Sequence, residues 1–222
     1  MERLVIAIDG PSGVGKSSLG KALARRLGIL YIDSGAVYRA VALGALDAGV
    51  GLEDANAIAA LALRSDIRLE GDPRNLRVFL NNREVTREIR LPETSHASSV
   101  IATIPEVREA VVLKLREMSR GGGVVMDGRD IGTKVFPDAR VKLFLDAAPD
   151  VRARRRWEED RKRGRDVTID EVSGELQSRD QRDTERLATP LIQAADAIFI
   201  DTSDMELDRV VDRVLEIVES RR

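Results

Sequence analysis

The segment from Gly10 to Ser17 constrains this chain more than any other, because it fits the pattern G-x-x-x-x-G-K-[ST]. The apolar run Leu4 to Asp9 precedes it, and apolar residues at helical spacing follow it as far as Leu27. A glycine-rich turn between a buried strand and an amphipathic helix directs backbone N–H groups and a helix dipole at a polyphosphate. The sequence therefore predicts a phosphate-binding loop, with a plain strand-to-helix turn as the alternative.

This loop and the start of its helix supply the residues that we expect to hold a nucleoside triphosphate. They are Gly10, Pro11, Ser12, Gly13, Val14, Gly15, Lys16, Ser17 and Ser18. Lys16 is the expected catalytic cation, since its ammonium group can neutralise the β- and γ-phosphates while the γ-phosphoryl group transfers. The Ser17 hydroxyl is expected to face a magnesium ion, and Ser18 offers a second hydroxyl within reach.

Asp127 is a second candidate magnesium ligand, because it ends the apolar strand Val124 to Met126. A parallel sheet brings the carboxyl end of such a strand beside the phosphate-binding loop. Strand ends commonly carry Asp, so an aspartate that only terminates the strand is the alternative. Gly128, Arg129 and Asp130 follow at once, and this cluster favours the functional interpretation.

Five short apolar runs alternate with helical patterns, which is typical of parallel strands joined by right-handed crossovers. The runs are Leu4 to Asp9, Leu30 to Ile32, Val124 to Asp127, Val141 to Asp146 and Ala197 to Asp201. Two further runs, Ile67 to Glu70 and Leu76 to Leu80, flank Gly71 and predict an antiparallel hairpin. We therefore expect an α/β fold of the P-loop NTPase type, a three-layer sandwich with a five-stranded parallel sheet, a small antiparallel β-containing insertion and a helical lid.

Residues 1–222 are expected to form a single domain with three parts. The core comprises about 1–59, 104–150 and 169–222, the insertion about 60–103 and the lid about 151–168. A last amphipathic helix carries Leu207 and four valines at helical spacing. Ser203 and Glu206 predict a capping box at its start.

The segment from Arg152 to Arg165 carries eight basic and three acidic side chains, and it predicts the lid. Arginines that close over a transferring phosphoryl group stabilise its charge and exclude water. Within this segment Arg156 and Arg161 are the expected catalytic residues. The alternative is a solvated helix face whose arginines pair with Glu158, Glu159 and Asp160.

The amino-acid composition disfavours several other classes of protein. Lys and Arg total 36 against 38 Asp and Glu, so nothing in the overall charge favours a stable nucleic-acid partner. The sequence has no cysteine, which excludes disulfides and thiolate metal sites and favours a reducing, cytoplasmic location. No apolar run is long enough for a signal sequence or a membrane span. We expect a monomer with small-molecule partners and no membrane partner.

A phosphate-binding loop alone leaves small-molecule kinases, GTPases and mechanochemical ATPases open. No N-K-x-D motif for reading guanine occurs, which weakens the GTPase interpretation. A regulatory or RNA-associated nucleotide-binding protein is the alternative from another class, but aromatic residues for base stacking make up only 3% of the chain. These observations favour a small-molecule kinase.

Five sequence motifs indicate which family of small-molecule kinases the chain resembles. The chain resembles bacterial cytidylate kinases in DGPSGVGKSSL at 9–19, DSGAVYR at 33–39, DGRDIGT at 127–133, VFPDA at 135–139 and RDQRDTER at 179–186. The resemblance implies transfer of the γ-phosphoryl group of ATP to CMP or dCMP with Mg²⁺, giving ADP and CDP or dCDP. Another P-loop kinase, for UMP, shikimate or a sugar acid, remains the alternative.

The same resemblance implies roles for nine residues. The cytosine would be read by Ser34, Ser99, Arg108 and Asp130. The acceptor phosphate would be held by Arg39, Arg129 and Arg186, of which Arg129 would also be catalytic. The sugar would be met by Arg179 and Asp183, which are spaced for an intrahelical salt bridge as an alternative. A carboxylate suits the exocyclic amine of cytosine, and uracil, which inverts that donor, should bind less well.

Overall fold

The computed structural model describes residues 3–221. In chain order, the strands are β1 (Val5–Asp9), β2 (Leu30–Asp33), β3 (Ile67–Glu70), β4 (Arg77–Leu80), β5 (Arg83–Glu84), β6 (Val124–Asp127), β7 (Val141–Asp146) and β8 (Ile198–Asp201). The α-helices are α1 (Lys16–Leu27), α2 (Ser34–Asp47), α3 (Ala55–Arg64), α4 (Pro92–Ile101), α5 (Pro105–Met118), α6 (Pro149–Lys162), α7 (Ile169–Glu185) and α8 (Leu207–Ser220).

Five of the strands form one parallel sheet in the order β2-β6-β1-β7-β8. The central strand β1 pairs with β6 on one side and β7 on the other, so that Ile8 lies opposite both Asp127 and Leu143. Helices cover both faces of such a sheet, and its inner strands are accordingly apolar and buried. The predicted five-stranded parallel sheet is confirmed, with every strand boundary within one residue of the expected one.

Successive residues of the central strands point into two separate helical layers. Ala7 and Met126 pack in a core cluster with side chains of α2 and α5. Ile6 and Ile8 pack in a second cluster with α1 and α8, which contributes Val214 among others. This arrangement confirms the three-layer sandwich. Within residues 3–221, no helix is both long and apolar enough to cross a membrane.

A small antiparallel sheet, β3-β4-β5, stands apart from the main sheet. Ile67 of β3 lies opposite Leu80 of β4, which confirms the predicted hairpin. The two-residue strand β5 and the helices α3 and α4 were not predicted. The start of α3 is capped by Asp54, whose carboxylate accepts from the Ala57 N–H at 3.0 Å. Asp54 followed by an alanine- and leucine-rich segment is an N-terminal helix signal that the prediction did not use.

The capping box predicted at Ser203 and Glu206 is wrong. Glu206 is the N-cap of α8 and makes no side-chain capping hydrogen bond. The Ser203 hydroxyl donates to Asp201 at 2.6 Å and accepts from the Ala148 N–H at 2.8 Å. It therefore ties the end of β8 to the residue before α6 instead of capping a helix. A capping box does occur at the start of α7, between Thr168 and Glu171.

Candidate active site

A cleft of about 1540 Å³ opens at the carboxyl edge of the parallel sheet. The strands β1, β2 and β6 end there, so the phosphate-binding loop, the start of α2 and residues 128–130 all reach it. Side chains of α4, α6 and α7 form the facing wall. Open α/β sheets bind their ligands in crevices at this edge.

Two glycines show why the phosphate-binding loop has its composition. Gly10 has φ 143°, and a Cβ there would lie 2.1 Å from the backbone oxygen of Leu145. Gly15 is left-handed, with φ 91°, at the N-cap of α1, a conformation that glycine adopts without steric cost. Seven of the nine predicted nucleotide-binding residues line the cleft, from Ser12 to Ser18, whereas Gly10 and Pro11 lie outside its lining.

Lys16 is the buried cation of this loop. Its side chain donates to the backbone oxygen of Pro11 at 2.5 Å, and the residue is only 6% exposed. Burial, followed by the positive charge of Arg129, lowers the pKa of Lys16 well below its usual value, while the charge of Asp127 opposes this shift. A bound polyphosphate would stabilise the charged ammonium, so the geometry suits an anion beside Lys16.

Asp127 lies at the end of β6 beside the phosphate-binding loop. Its carboxylate accepts from the Ser17 hydroxyl at 3.0 Å and from the Tyr31 hydroxyl at 2.6 Å. Burial, then the nearby charge of Asp33, raises the pKa of Asp127 to about 6. Burial and the charge of Asp127 raise the pKa of Tyr31, which therefore remains a donor.

The oxygens of Ser17 and Asp127 fit a magnesium ion, which takes hard oxygen ligands and usually few of them from protein. Ser18 occupies the next position on the helix and is exposed, without a contact to Asp127. Of the two hydroxyls that the sequence left open, Ser17 is thus the one beside the carboxylate.

Replacing Asp127 by asparagine is expected to stabilise the ligand-free protein at neutral and alkaline pH. The folded-state pKa of about 6 lies above the ordinary value of 3.8, so the contribution of this carboxylate to stability falls as pH rises through that window. The variant should gain up to about 3 kcal/mol above the folded-state pKa, and the gain should disappear below the unfolded one. Thermal unfolding from about pH 4 to pH 8 measures this difference. The exposed Asp166→Asn variant is the control, and a gain that is independent of pH would contradict the prediction.

Arg108 and Asp130 form a buried ion pair in the wall of the cleft. The Arg108 Nη2 group donates to Asp130 Oδ2 at 2.5 Å, and the two side chains are 4% and 6% exposed. The guanidinium carbon lies 5.5 Å from the centre of the Tyr38 ring. An Arg side chain and a carboxylate are therefore held together in fixed positions at the same wall.

The two serines with an expected role in base reading also line this cleft. The Ser34 hydroxyl donates to the backbone oxygen of Asp127 at 2.7 Å, at the start of α2. The Ser99 hydroxyl, on α4, accepts from Arg182 Nε at 3.0 Å. The structure thus brings together all four side chains that the resemblance assigned to the base.

Arg129 connects the phosphate-binding loop with the other half of the cleft. It donates from Nη2 to the Ser12 hydroxyl and from Nε to Asp183, both at 2.7 Å. The other carboxylate oxygen of Asp183 accepts from Arg186 Nη1 at 3.2 Å. Burial alone would raise the pKa of Asp183, but the surrounding arginines outweigh it and lower the pKa.

Arg39 and Arg179 add two further guanidinium groups to the cleft. Arg39 donates to Asp33 at 3.1 Å, and its Nε, like that of Arg179, is buried without a hydrogen-bond partner in residues 3–221. Burial and the charge of Arg129 lower the pKa of Arg179 to about 9. In the same described range, Asp183 forms ion pairs with other arginines, and the intrahelical salt bridge to Arg179 is not found. Unsatisfied buried cations favour an anionic ligand at this place.

The two lid arginines with an expected catalytic role differ in position. Arg156 lines the cleft and pairs with Glu159 at 3.3 Å and with Asp160 at 3.2 Å on its own helix. The structure does not bring Arg161 to the cleft, because its guanidinium is exposed and lies 4.9 Å from the centre of the Trp157 ring. The intrahelical pairs of Arg156 are those expected of the solvated-face alternative.

Other arginines of α6 fix this helix to the body of the protein. Arg155 donates to the Thr202 hydroxyl at 3.1 Å and to its backbone oxygen at 2.6 Å. Arg152 donates to the backbone oxygen of Ser12 at 3.2 Å and pairs with Asp180 of α7. The segment thus combines structural arginines with at least one that faces the cleft.

Several residues that support the site were not predicted from the sequence. Five such residues contact the cleft or its loop: Tyr31, Tyr38, Asp180, Arg182 and Thr202. Tyr38 and Asp180 lie inside the DSGAVYR and RDQRDTER motifs, so the motifs themselves contained the signal. Tyr31 lies in an apolar strand, where its hydroxyl could not be assigned a partner from sequence.

A family model described as cytidylate kinase matches residues 6–220. This chain belongs to the cytidylate kinase family. It is 50% identical over 218 residues to the cytidylate kinase of Pelotomaculum thermopropionicum, covering 98% of this chain and 96% of that protein. The cytidylate kinase of Desulfitobacterium hafniense strain Y51 is 46% identical over 220 residues, covering 99% and 94% of the two chains. Cytidylate kinases are phosphotransferases with a phosphate group as acceptor.

A solved structure agrees with the fold expected of the cytidylate kinase family. An uncharacterized protein from Eubacterium ventriosum superimposes with a TM-score of 0.54, covering 99% of both chains at 12% sequence identity. At this identity the likeness concerns the fold alone. The family assignment of the chain therefore depends on the sequence matches, and the sandwich around the phosphate-binding loop is consistent with them.

Proposed function

We propose that this chain transfers the γ-phosphoryl group of ATP to CMP or dCMP and releases ADP with CDP or dCDP. Family membership supports the reaction. The structural observation that most supports this reaction is the position of Arg129. Its side chain contacts Ser12 of the phosphate-binding loop and Asp183 of the facing wall. This guanidinium would then lie between the two phosphates that must meet for direct transfer.

The acceptor phosphate is proposed to bind Arg39, Arg129 and Arg186. Planar guanidinium groups offer paired N–H donors that suit a dianionic phosphate. Arg39 and Arg186 each have a buried nitrogen without a hydrogen-bond partner in residues 3–221, and a phosphate would satisfy these donors. The sugar is proposed to contact Arg179 and Asp183, which line the cleft beside them.

The base is proposed to be recognised by Ser34, Ser99, Arg108 and Asp130. Cytosine presents an exocyclic amine donor beside two acceptors, the ring nitrogen N3 and the carbonyl oxygen O2. A carboxylate that accepts from the amine, with an arginine and a hydroxyl that donate to the acceptors, is complementary to this edge. Uracil presents an acceptor in place of the amine, which would leave a buried carboxylate facing an oxygen.

Charge neutralisation is proposed to be the main catalytic contribution of the protein. The acceptor is already an anion, so transfer needs positioning and cations more than a general base. Ser17 and Asp127 would hold Mg²⁺, which when bound neutralises charge on the triphosphate. Lys16, Arg129 and Arg156 would supply the remaining positive charge. Arg161 is left out of this set, because its side chain lies over Trp157.

We also propose how the chain is divided and where it works. The core would comprise about 1–59, 104–150 and 169–222, with the insertion at about 60–103 covering the monophosphate and the lid at about 151–168 covering the triphosphate. The protein would act as a monomer. Small molecules would be its partners, and the absence of cysteine is consistent with the cytoplasm.

A panel of acceptors tests the proposed reaction. ADP formation from ATP and Mg²⁺ is measured with CMP, dCMP, UMP, AMP and shikimate, and with each acceptor left out. CMP and dCMP should support turnover, UMP should be at least about tenfold less efficient, and the others should not exceed the blank. Faster turnover of UMP or shikimate would favour the rival small-molecule kinases. Salt-dependent RNA binding without acceptor-dependent turnover would contradict an enzyme altogether.

A further inference from the structure

Thr189 lies in the connection between α7 and β8, and it contacts both halves of the acceptor site. Its hydroxyl accepts from Arg108 Nε at 2.6 Å. Its backbone oxygen accepts from Arg186 Nε at 2.8 Å. One residue thus touches the arginine proposed for the base and an arginine proposed for the acceptor phosphate, although Thr189 itself does not line the cleft.

The backbone of Thr189 is held in an uncommon conformation. Its φ is 46°, in the left-handed region that β-branched residues rarely adopt. Pro190 follows it, and a residue before proline is normally restricted to extended conformations. Such a conformation persists only where surrounding contacts determine it, and strained residues of this kind cluster at functional sites.

Contacts on both sides hold this segment in place. The Leu191 N–H donates to the backbone oxygen of Asp183 at 2.8 Å, and the Leu191 side chain is buried. Further along, Asp196 pairs with the buried ammonium of Lys142 at 2.8 Å. These contacts hold the connection between α7 and β8 against the rest of the protein, and they fix the position of Thr189 relative to α7.

The contacts of Arg108 show what the hydroxyl of Thr189 does. A guanidinium group has five N–H donors in one plane. The Nε group donates to Thr189, one Nη1 hydrogen to the backbone oxygen of Ala102 at 2.8 Å, and one Nη2 hydrogen to Asp130 at 2.5 Å. Three contacts orient the plane, and within residues 3–221 they leave one hydrogen on each Nη atom for a ligand.

We propose that Thr189 is a positioning residue that sets Arg108 for recognition of the base, and that it aligns Arg108 with Arg186 of the phosphate pocket. The hydroxyl orients the base-reading guanidinium, and the carbonyl orients the phosphate-binding one. This inference rests on the proposed function. It adds a specificity determinant that does not itself contact the substrate.

Two substitutions separate the hydroxyl from the shape of the side chain. Thr189→Val has the same shape and the same β-branch, so its backbone cost matches that of threonine, but it offers no acceptor to Arg108. Thr189→Ser retains the acceptor. For the valine variant, KM for CMP should rise about tenfold and the preference for CMP over UMP should narrow, with kcat and the KM for ATP little changed. The serine variant should behave like the parent protein.

Results that would overturn the role of Thr189 differ from those that would overturn the proposed function. An unchanged KM and CMP preference in Thr189→Val, or an equal loss in the valine and serine variants, would overturn the role of the hydroxyl. If the valine variant fails to fold, Thr189→Gly replaces it, because glycine accepts positive φ without strain and also lacks the hydroxyl. If the parent protein itself shows no CMP-dependent ADP formation, the proposed function fails independently of Thr189.

Discussion

Replacing Lys16 by alanine is expected to lower kcat by about 10²- to 10³-fold while the protein stays folded. The ammonium is buried in the phosphate-binding loop, within reach of the Pro11 oxygen, and no other lysine of that loop can substitute for it. Its charge would act on the transferring phosphoryl group and hence mainly on the transition state. The loss should therefore appear in kcat as well as in kcat/KM.

Thermal unfolding distinguishes a loss of catalytic activity from a loss of the folded state in the Lys16→Ala variant. Burial disfavours the charged form of Lys16, so the substitution removes a free-energy cost of folding. The substitution also removes a positive charge that stabilises the buried carboxylate of Asp127. These effects oppose each other, so the melting temperature should change little. Lys134→Ala, at an exposed lysine, is the matched control and should keep full activity. A folded Lys16→Ala variant with more than about a tenth of the parent kcat would refute the assignment.

Replacing Asp130 is expected to damage CMP use selectively. Its carboxylate is 6% exposed and is paired with Arg108 at 2.5 Å. In Asp130→Asn an amide donor replaces part of the carboxylate, so cytosine loses an acceptor for its amine, whereas uracil gains a donor. The kcat/KM for CMP should fall by about 100-fold or more, and the value for UMP should fall less or rise.

Both substitutions remove the charge that compensates the buried Arg108, but asparagine keeps an amide oxygen that accepts from the guanidinium, whereas alanine leaves that donor without an acceptor. Breaking a buried ion pair costs about 3 to 5 kcal/mol, so both variants should unfold at a lower temperature than the parent protein, Asp130→Ala more so because it also loses the hydrogen bond. Steady-state kinetics with both nucleotides and thermal unfolding should be measured for both variants. The exposed Asp138→Asn, on the same segment, is the control. An unchanged ratio of CMP to UMP efficiency in Asp130→Asn would contradict the proposed base recognition.

Local patterns in the sequence were sufficient for the main sheet. Each of its strands is a short apolar run closed by a turn or by a polar residue, and this pattern is typical of buried strands in a parallel sheet. The helices α3 and α4 were not predicted. They pack against α5 and α2, respectively, and tertiary packing of this kind supplies most of the stability of short helices.

Residue spacing alone does not determine whether Ser203 caps a helix. Serine and glutamate three residues apart satisfy the pattern of a capping box. In the folded chain the serine hydroxyl has other partners, Asp201 and the Ala148 N–H. Ala148 is more than fifty residues away in sequence, so local pattern could not reveal this competition.

The sequence alone determined the phosphate-binding loop, the five-stranded sheet and the family, because these depend on contiguous residues whose spacing has a direct physical meaning. Only the tertiary structure decided which charged groups meet. It joined Arg108 with Asp130 and Thr189, placed Arg129 between Ser12 and Asp183, and put Arg161 against Trp157. Long charged side chains have many reachable partners along a chain, and burial with a defined geometry selects among them.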